Sequence, residues 1–163
     1  MFQSGKKWFK MEHMFRGVHN LTIDAKGRIK IPVRHHEQIK NSCAGSLVLS
    51  IHPDDNCLLL YPLYEWQELE RKVNALPSLN VHTKKIKRKL IGHAIDVEVD
   101  ANNRLLLPLP LREYANFNKK VIVSGQGKNF EIWDEDEWHK HIKKLSEVSA
   151  TEEVPAEVAK LAL

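Results

Sequence analysis

Leu21-Thr22-Ile23-Asp24-Ala25-Lys26-Gly27-Arg28-Ile29-Lys30-Ile31-Pro32-Val33-Arg34 reads as a strand, a tight basic turn and a second strand. The pattern returns as Val97-Glu98-Val99-Asp100-Ala101-Asn102-Asn103-Arg104-Leu105-Leu106-Leu107-Pro108-Leu109. Aspartate, arginine and proline recur at 24/100, 28/104 and 32/108, a constant offset of 76. Apolar residues recur at 21/97, 23/99, 29/105, 31/107 and 33/109 with the same offset. A repeat of this kind decides the architecture before any single element is assigned.

Within the first copy, the alternation from Val18 to Ile23 predicts a half-buried strand. Gly27 supplies a turn residue free to take positive φ. Beyond it Ile29, Ile31 and Val33 fall on one face, with Arg28, Lys30 and Arg34 on the other. Pro32 donates no ladder hydrogen bond, which predicts an edge strand or its end. Asp24 is placed to accept backbone N–H groups of the turn and to pair with Arg28. In the second copy Asn102 and Asn103 replace Lys26 and Gly27, and asparagine also tolerates a left-handed backbone. Asp100, Asn103 and Arg104 are therefore read as structural turn residues. Leu106 replaces Lys30, so this strand is apolar on both faces and is expected to be buried.

Around each copy the order continues as short helix, strand, turn, strand and helix. Strands are predicted at Ser46–Ile51, Cys57–Tyr61, Lys120–Ser124 and Phe130–Trp133. Helices are predicted from Pro62 to about Leu76, from Val81 to Gly92, and from Asp134 to Leu145. The organisation is thus an extension at 1–13, repeat 1 at 18–65, linking helices at 66–93, repeat 2 at 94–137, and a helix with an acidic tail at 138–163. Met11 and Met14 are alternative starts, and 1–13 is expected to be disordered or a misassigned leader.

The 163-residue chain is 42% hydrophobic, enough for a core. Its net charge of +4 favours an acidic partner such as nucleic acid. Cys43 and Cys57 form no CxxC motif and read as reduced thiols of a cytosolic protein. No apolar run reaches the ~18 residues of a membrane span. The nine histidines show no zinc-ligand spacing, and no serine or cysteine sits in a nucleophile elbow. No cofactor, metal, membrane or small-molecule substrate is expected, and the chain is not read as an enzyme.

The basic hairpin is the leading candidate site. A β-ribbon fits the DNA major groove, and Lys and Arg supply charge to phosphates. A solvated basic strand face is the competing reading. Lys84-Lys85-Ile86-Lys87-Arg88-Lys89 carries five positive charges. It is read as a solvated face paired with the acidic C-terminal region of this chain or a neighbour, or as a phosphate-facing helix.

Six stretches then resemble the bacterial MraZ family: Met14-Phe15-Arg16-Gly17, Asp24 to Arg28, Leu58 to Pro62, Leu90-Ile91-Gly92-His93-Ala94, Asp100 with Arg104, and Trp133-Asp134. The resemblance covers roughly Met14 to His141. It implies an α+β, mostly β fold: two AbrB-like swapped-hairpin modules in pseudo-twofold arrangement with peripheral helices. It implies a nucleoid-associated, cytoplasmic transcriptional regulator, forming ring homo-oligomers on repeated promoter boxes of its own promoter and the division and cell-wall cluster. The DNA-contacting role carries to Arg28 with Lys26 beside it. Gly27, Lys30, Arg34 and Arg16 complete the candidate set. The alternative is an AbrB-like interaction or antitoxin-type protein whose basic face meets protein.

Overall fold

The computed structural model describes residues 14–148 and 153–161. The expectation for 1–13 lies outside the described residues. Among the described residues there are eight strands: β1 Val18–Thr22, β2 Arg28–Lys30, β3 Ser46–Ile51, β4 Leu58–Pro62, β5 Ile95–Glu98, β6 Arg104–Leu106, β7 Lys120–Gly125 and β8 Phe130–Asp134. The helices are α1 Val33–Cys43, α2 Leu63–Asn74, α3 Val81–Ile86, α4 Leu109–Tyr114, α5 Glu135–Ser146 and α6 Ala156–Ala159. A π-helical turn, Lys87–Ile91, continues α3.

Six strands form one antiparallel sheet in the order β1-β7-β8-β4-β3-β5, and β2 pairs with β6 in a separate ribbon. Exchanging the repeats maps this order onto itself, as the pseudo-twofold expectation requires. The fold is α+β, mostly β, and its two repeats fit the AbrB-like two-module arrangement.

The partners of the opening stretch differ from a simple hairpin. β1 pairs with β7 of the other repeat, β5 pairs with β3, and β2 pairs with β6. Between β1 and β2 the turn is closed by Asp24 N–H donating to the Arg28 carbonyl at 2.9 Å. Alternation along a strand states which face is buried but not which strand lies beside it. Here the turn carries the chain from one sheet into the other.

The core lies between the ribbon and the large sheet. Ile29 and Leu105, directly opposite in the ribbon, are buried against Leu49, Leu60, Val123 and Ile132. Each such side chain stabilises the fold by ~1.5–3 kcal/mol. β3 and β7 are apolar on both faces because helices cover the outer side. Trp66 of α2 and Leu90 of the π-helical turn pack on Val48 and Leu59. Ser50 Oγ donates to the Leu90 carbonyl at 2.6 Å, satisfying an acceptor the π-helical turn would otherwise bury. On the second repeat Trp133 and Ile122 meet Trp138 of α5.

Proline ends β2 as expected: the strand stops at Lys30, and Pro32 precedes α1. Arg34 therefore stands on a helix, not on the strand face that alternation assigned to it. Asp134 caps α5, accepting from Asp136 N–H at 3.2 Å and Glu137 N–H at 3.4 Å. Cys43 and Cys57 are both free, and burial pushes the Cys57 thiol up.

One buried histidine ties α1 to β1. His35 is 1% exposed, and its ring stands edge-on to Phe15 and Phe130. Its Nε2 lies 3.3 Å from Nε2 of His19. Burial, then the neighbouring His19, lowers its pKa from 6.5 to about 4. A base with a depressed folded pKa takes up its proton on unfolding. Its contribution is present above pH 6.5 and is lost as pH falls toward about 4. The loss reaches roughly 3 kcal/mol across that window. Urea unfolding at pH 7.5 and pH 5 is expected to show the wild type weakening in acid. His35→Phe, which has no proton to gain, should lose markedly less.

Candidate nucleic-acid interface

The site begins with a loop closed by its own aspartate. Asp24 Oδ1 accepts the backbone N–H groups of Lys26 and Arg28, each at 2.9 Å. Asp24 Oδ2 accepts from Arg28 Nε at 2.9 Å. The Arg28 backbone N–H is the main reason the Asp24 carboxyl sits below its usual range, assisted by the Arg28 guanidinium. Gly27 takes φ +84°, which lets the turn close with its N–H donating to the Asp24 carbonyl at 3.0 Å.

The second loop repeats this construction. Asp100 Oδ1 accepts from Asn102 N–H at 2.8 Å and Arg104 N–H at 2.9 Å. Asn103 occupies the place of Gly27 with φ 60°. The arginine pairing is looser, with Arg104 Nε 3.7 Å from Asp100 Oδ2. The Arg104 backbone N–H is again the leading cause of the lowered Asp100 carboxyl, and Arg28 contributes from the other repeat.

The ribbon then places the two loops on one surface. Its register sets Arg28 opposite Leu106, Ile29 opposite Leu105, and Lys30 opposite Arg104. Ile29 and Leu105 point into the core, so Arg28, Lys30, Arg104 and Leu106 share the outer face. Leu106 is 52% exposed. This corrects the reading of the second strand as buried packing. β6 has only one face on the core, and its other face is the continuation of the basic surface. Each loop also bonds to the opposite strand's exit: Leu107 N–H donates to the Gly27 carbonyl at 2.9 Å, and Ile31 N–H to the Asn103 carbonyl at 2.8 Å.

Arg112 is a further basic group that the sequence pattern did not single out. It lies on α4, and its Nε donates to the Leu107 carbonyl at 2.8 Å. Its guanidinium lies so close to Gly27 that a Cβ there would come within 2.8 Å of Cζ. The residue one repeat earlier is His36, whose Nε2 meets the Ile31 carbonyl in the equivalent place. A search for repeated arginines passes over this position because the copies differ there.

The remaining candidates are dispersed. Lys26 is exposed at the tip of the first turn. The backbone around Arg16 is tied to the β7–β8 turn, through Phe15 N–H to the Gly127 carbonyl and Gly125 N–H to the Gly17 carbonyl. A Cβ on Gly17 would meet His19 at 3.2 Å and Arg34 at 3.5 Å, so Arg34 stands beside Gly17 rather than on the ribbon. On the linking helix Lys85 pairs with Asp54, and Lys89 Nζ donates to the Pro53 carbonyl at 3.1 Å. The acid paired with Lys85 comes from the β3–β4 turn. Among the described residues, no three His, Cys, Asp or Glu side chains gather as a metal site, and no helix is long and apolar enough to cross a membrane.

Comparison with known families agrees with the duplicated ribbon. The family model described as "MraZ protein, putative antitoxin-like" matches twice, over residues 14–89 and 90–159. The chain belongs to the MraZ family. A relative from Halorhodospira halophila is 49% identical over 152 residues, covering 92% of this chain and 100% of the relative. One from Saccharophagus degradans is 44% identical over 150 residues, with 92% and 100% covered. One from Pseudomonas aeruginosa is 45% identical over 126 residues, with 77% and 83% covered. All three are named transcriptional regulator MraZ, and the family is not one of enzymes.

The packing of Arg112 on Gly27 is open to a direct test in this MraZ-family chain. Gly27→Ala is expected to destabilise the fold by roughly 1–2 kcal/mol, through positive φ and the clash together. In an Arg112→Ala background the clash is absent, so the same change should cost less in denaturant unfolding.

Proposed function

We propose that this chain is a sequence-specific DNA-binding transcriptional regulator whose ribbon face contacts promoter DNA. The observation that carries the reading is the convergence of Arg28, Lys30 and Arg104 on one outer face built from both repeats. A two-stranded ribbon fits the major groove, where arginine can meet phosphate or hold guanine through two hydrogen bonds. Asp24 engages Nε of Arg28. That pairing limits the rotamers of the guanidinium before DNA arrives, so less freedom is lost on binding. Lys26 at the turn tip extends the same charge, while Arg16 and Arg34 form an outlying contact around Gly17. The regulatory names of the relatives support this function.

The ribbon is short, three residues per strand, and one copy would bind weakly. Homo-oligomers, in the ring form that family resemblance implies, would present several ribbons at once. Linked weak contacts on tandem boxes then add up to useful affinity. Occupying such boxes at its own promoter and at the division and cell-wall cluster would exclude polymerase and repress. The antitoxin-like wording of the family description favours one second reading, a basic face that binds an acidic protein.

A mobility shift on the region upstream of its own coding sequence separates these readings. Wild-type protein is expected to bind with a steep salt dependence, and Arg28→Ala and Arg104→Ala each to weaken binding about tenfold or more with a shallower salt slope. Both variants should keep the wild-type sedimentation profile. Salt-independent or absent DNA binding would favour the protein-partner reading. Monomeric protein binding as tightly as the assembled form would remove the avidity argument.

A further inference from the structure

Leu106 is the one feature of the ribbon face that phosphate binding does not use. It is 52% exposed, it sits directly opposite Arg28, and it lies two residues from Arg104 on the same strand. The pseudo-twofold relates it to Lys30, so a cation on one copy is replaced by a branched apolar side chain on the other. Its neighbour Leu105 fills the core, so Leu106 does not support packing on the inner side. An apolar group held between arginines adds nothing to charge attraction and is left half in water. It gains only from an apolar partner at the place where the arginines dock.

Resting on the DNA reading above, we propose that Leu106 is a base-reading residue that packs against the 5-methyl group of thymine. In the major groove the thymine methyl is the apolar group displayed at a base edge. With the ribbon in that groove, Leu106 faces the bases together with Arg28. The pair then reads one end of the contacted site differently from the Arg104–Lys30 pair at the other. Arg28 and Arg104 supply charge and hydrogen bonds to either end, and Leu106 supplies the discrimination between thymine and the other bases at its own end.

The test compares two duplexes of the region upstream of the coding sequence, one made with thymine and one with uracil, which lacks only that methyl. Wild type is expected to bind the uracil duplex at least about threefold more weakly, the scale of one buried methyl group. Leu106→Ala should bind the thymine duplex more weakly than wild type and hold both duplexes equally. Leu106→Lys, which restores the residue type of Lys30, should bind with a steeper salt slope and also without discrimination. Leu106 is surface-exposed, so both variants are expected to fold and to sediment as wild type. Equal binding of both duplexes by wild type would overturn the proposal while leaving the DNA reading intact. So would undiminished discrimination in Leu106→Ala, or a loss of assembly in that variant with discrimination preserved. Failure of wild type to bind either duplex would overturn the DNA reading, and this proposal with it.

Discussion

Each repeat completes the ribbon of the other, and the rest of the molecule depends on that exchange. The pairs Arg28–Leu106, Ile29–Leu105 and Lys30–Arg104 all cross between repeats, as do the bonds from Leu107 to Gly27 and from Ile31 to Asn103. A three-residue strand has too few hydrogen bonds to stand alone. It is held because Ile29 and Leu105 insert together into a core lined by β3, β4, β7 and β8. The large sheet is exchanged in the same way, with β1 on β7 and β5 on β3. Cross-pairing thus joins the two copies into one cooperative unit.

The same constraint shapes the candidate interface. With the inner face occupied by Ile29 and Leu105, pleating sends their neighbours outward. Three of those four neighbours are cations. Like charges on one small surface repel, and the loops offset part of this by binding each arginine to an aspartate of its own turn. Each aspartate therefore closes a turn through backbone N–H groups and steadies an arginine beside the surface. The copies are unequal: Arg28 makes a hydrogen bond at 2.9 Å to its aspartate, whereas Arg104 stands 3.7 Å from its own. The tighter loop is also the one bearing Gly27 and, packed against it, Arg112.

Much of this was legible along the chain. The constant offset of 76 placed both loops, the left-handed turn positions at Gly27 and Asn103, and the end of β2 before Pro32. The strands Ser46–Ile51 and Lys120–Gly125 follow from apolar runs bounded by turn residues. Two readings fail, for different reasons. Arg34 reads as a strand residue only if alternation is carried through Pro32, where the chain in fact turns into α1. Leu106 reads as buried because local pattern does not say which distant segment lies alongside β6 or which face of it meets the core.

The sequence by itself determined the local chemistry: which residues turn, which alternate, and that aspartate and arginine recur four positions apart in each copy. These are short-range properties, set by φ preferences and hydrogen bonds within a few residues. Tertiary structure alone decided that the charged strands of the two repeats pair with each other, so that Arg28, Lys30, Arg104 and Leu106 share one face and Arg112 closes over Gly27. That outcome rests on burying Ile29 and Leu105 in a common core. Burial of this kind is a property of the whole chain, because the apolar surface that drives it is assembled from both repeats at once.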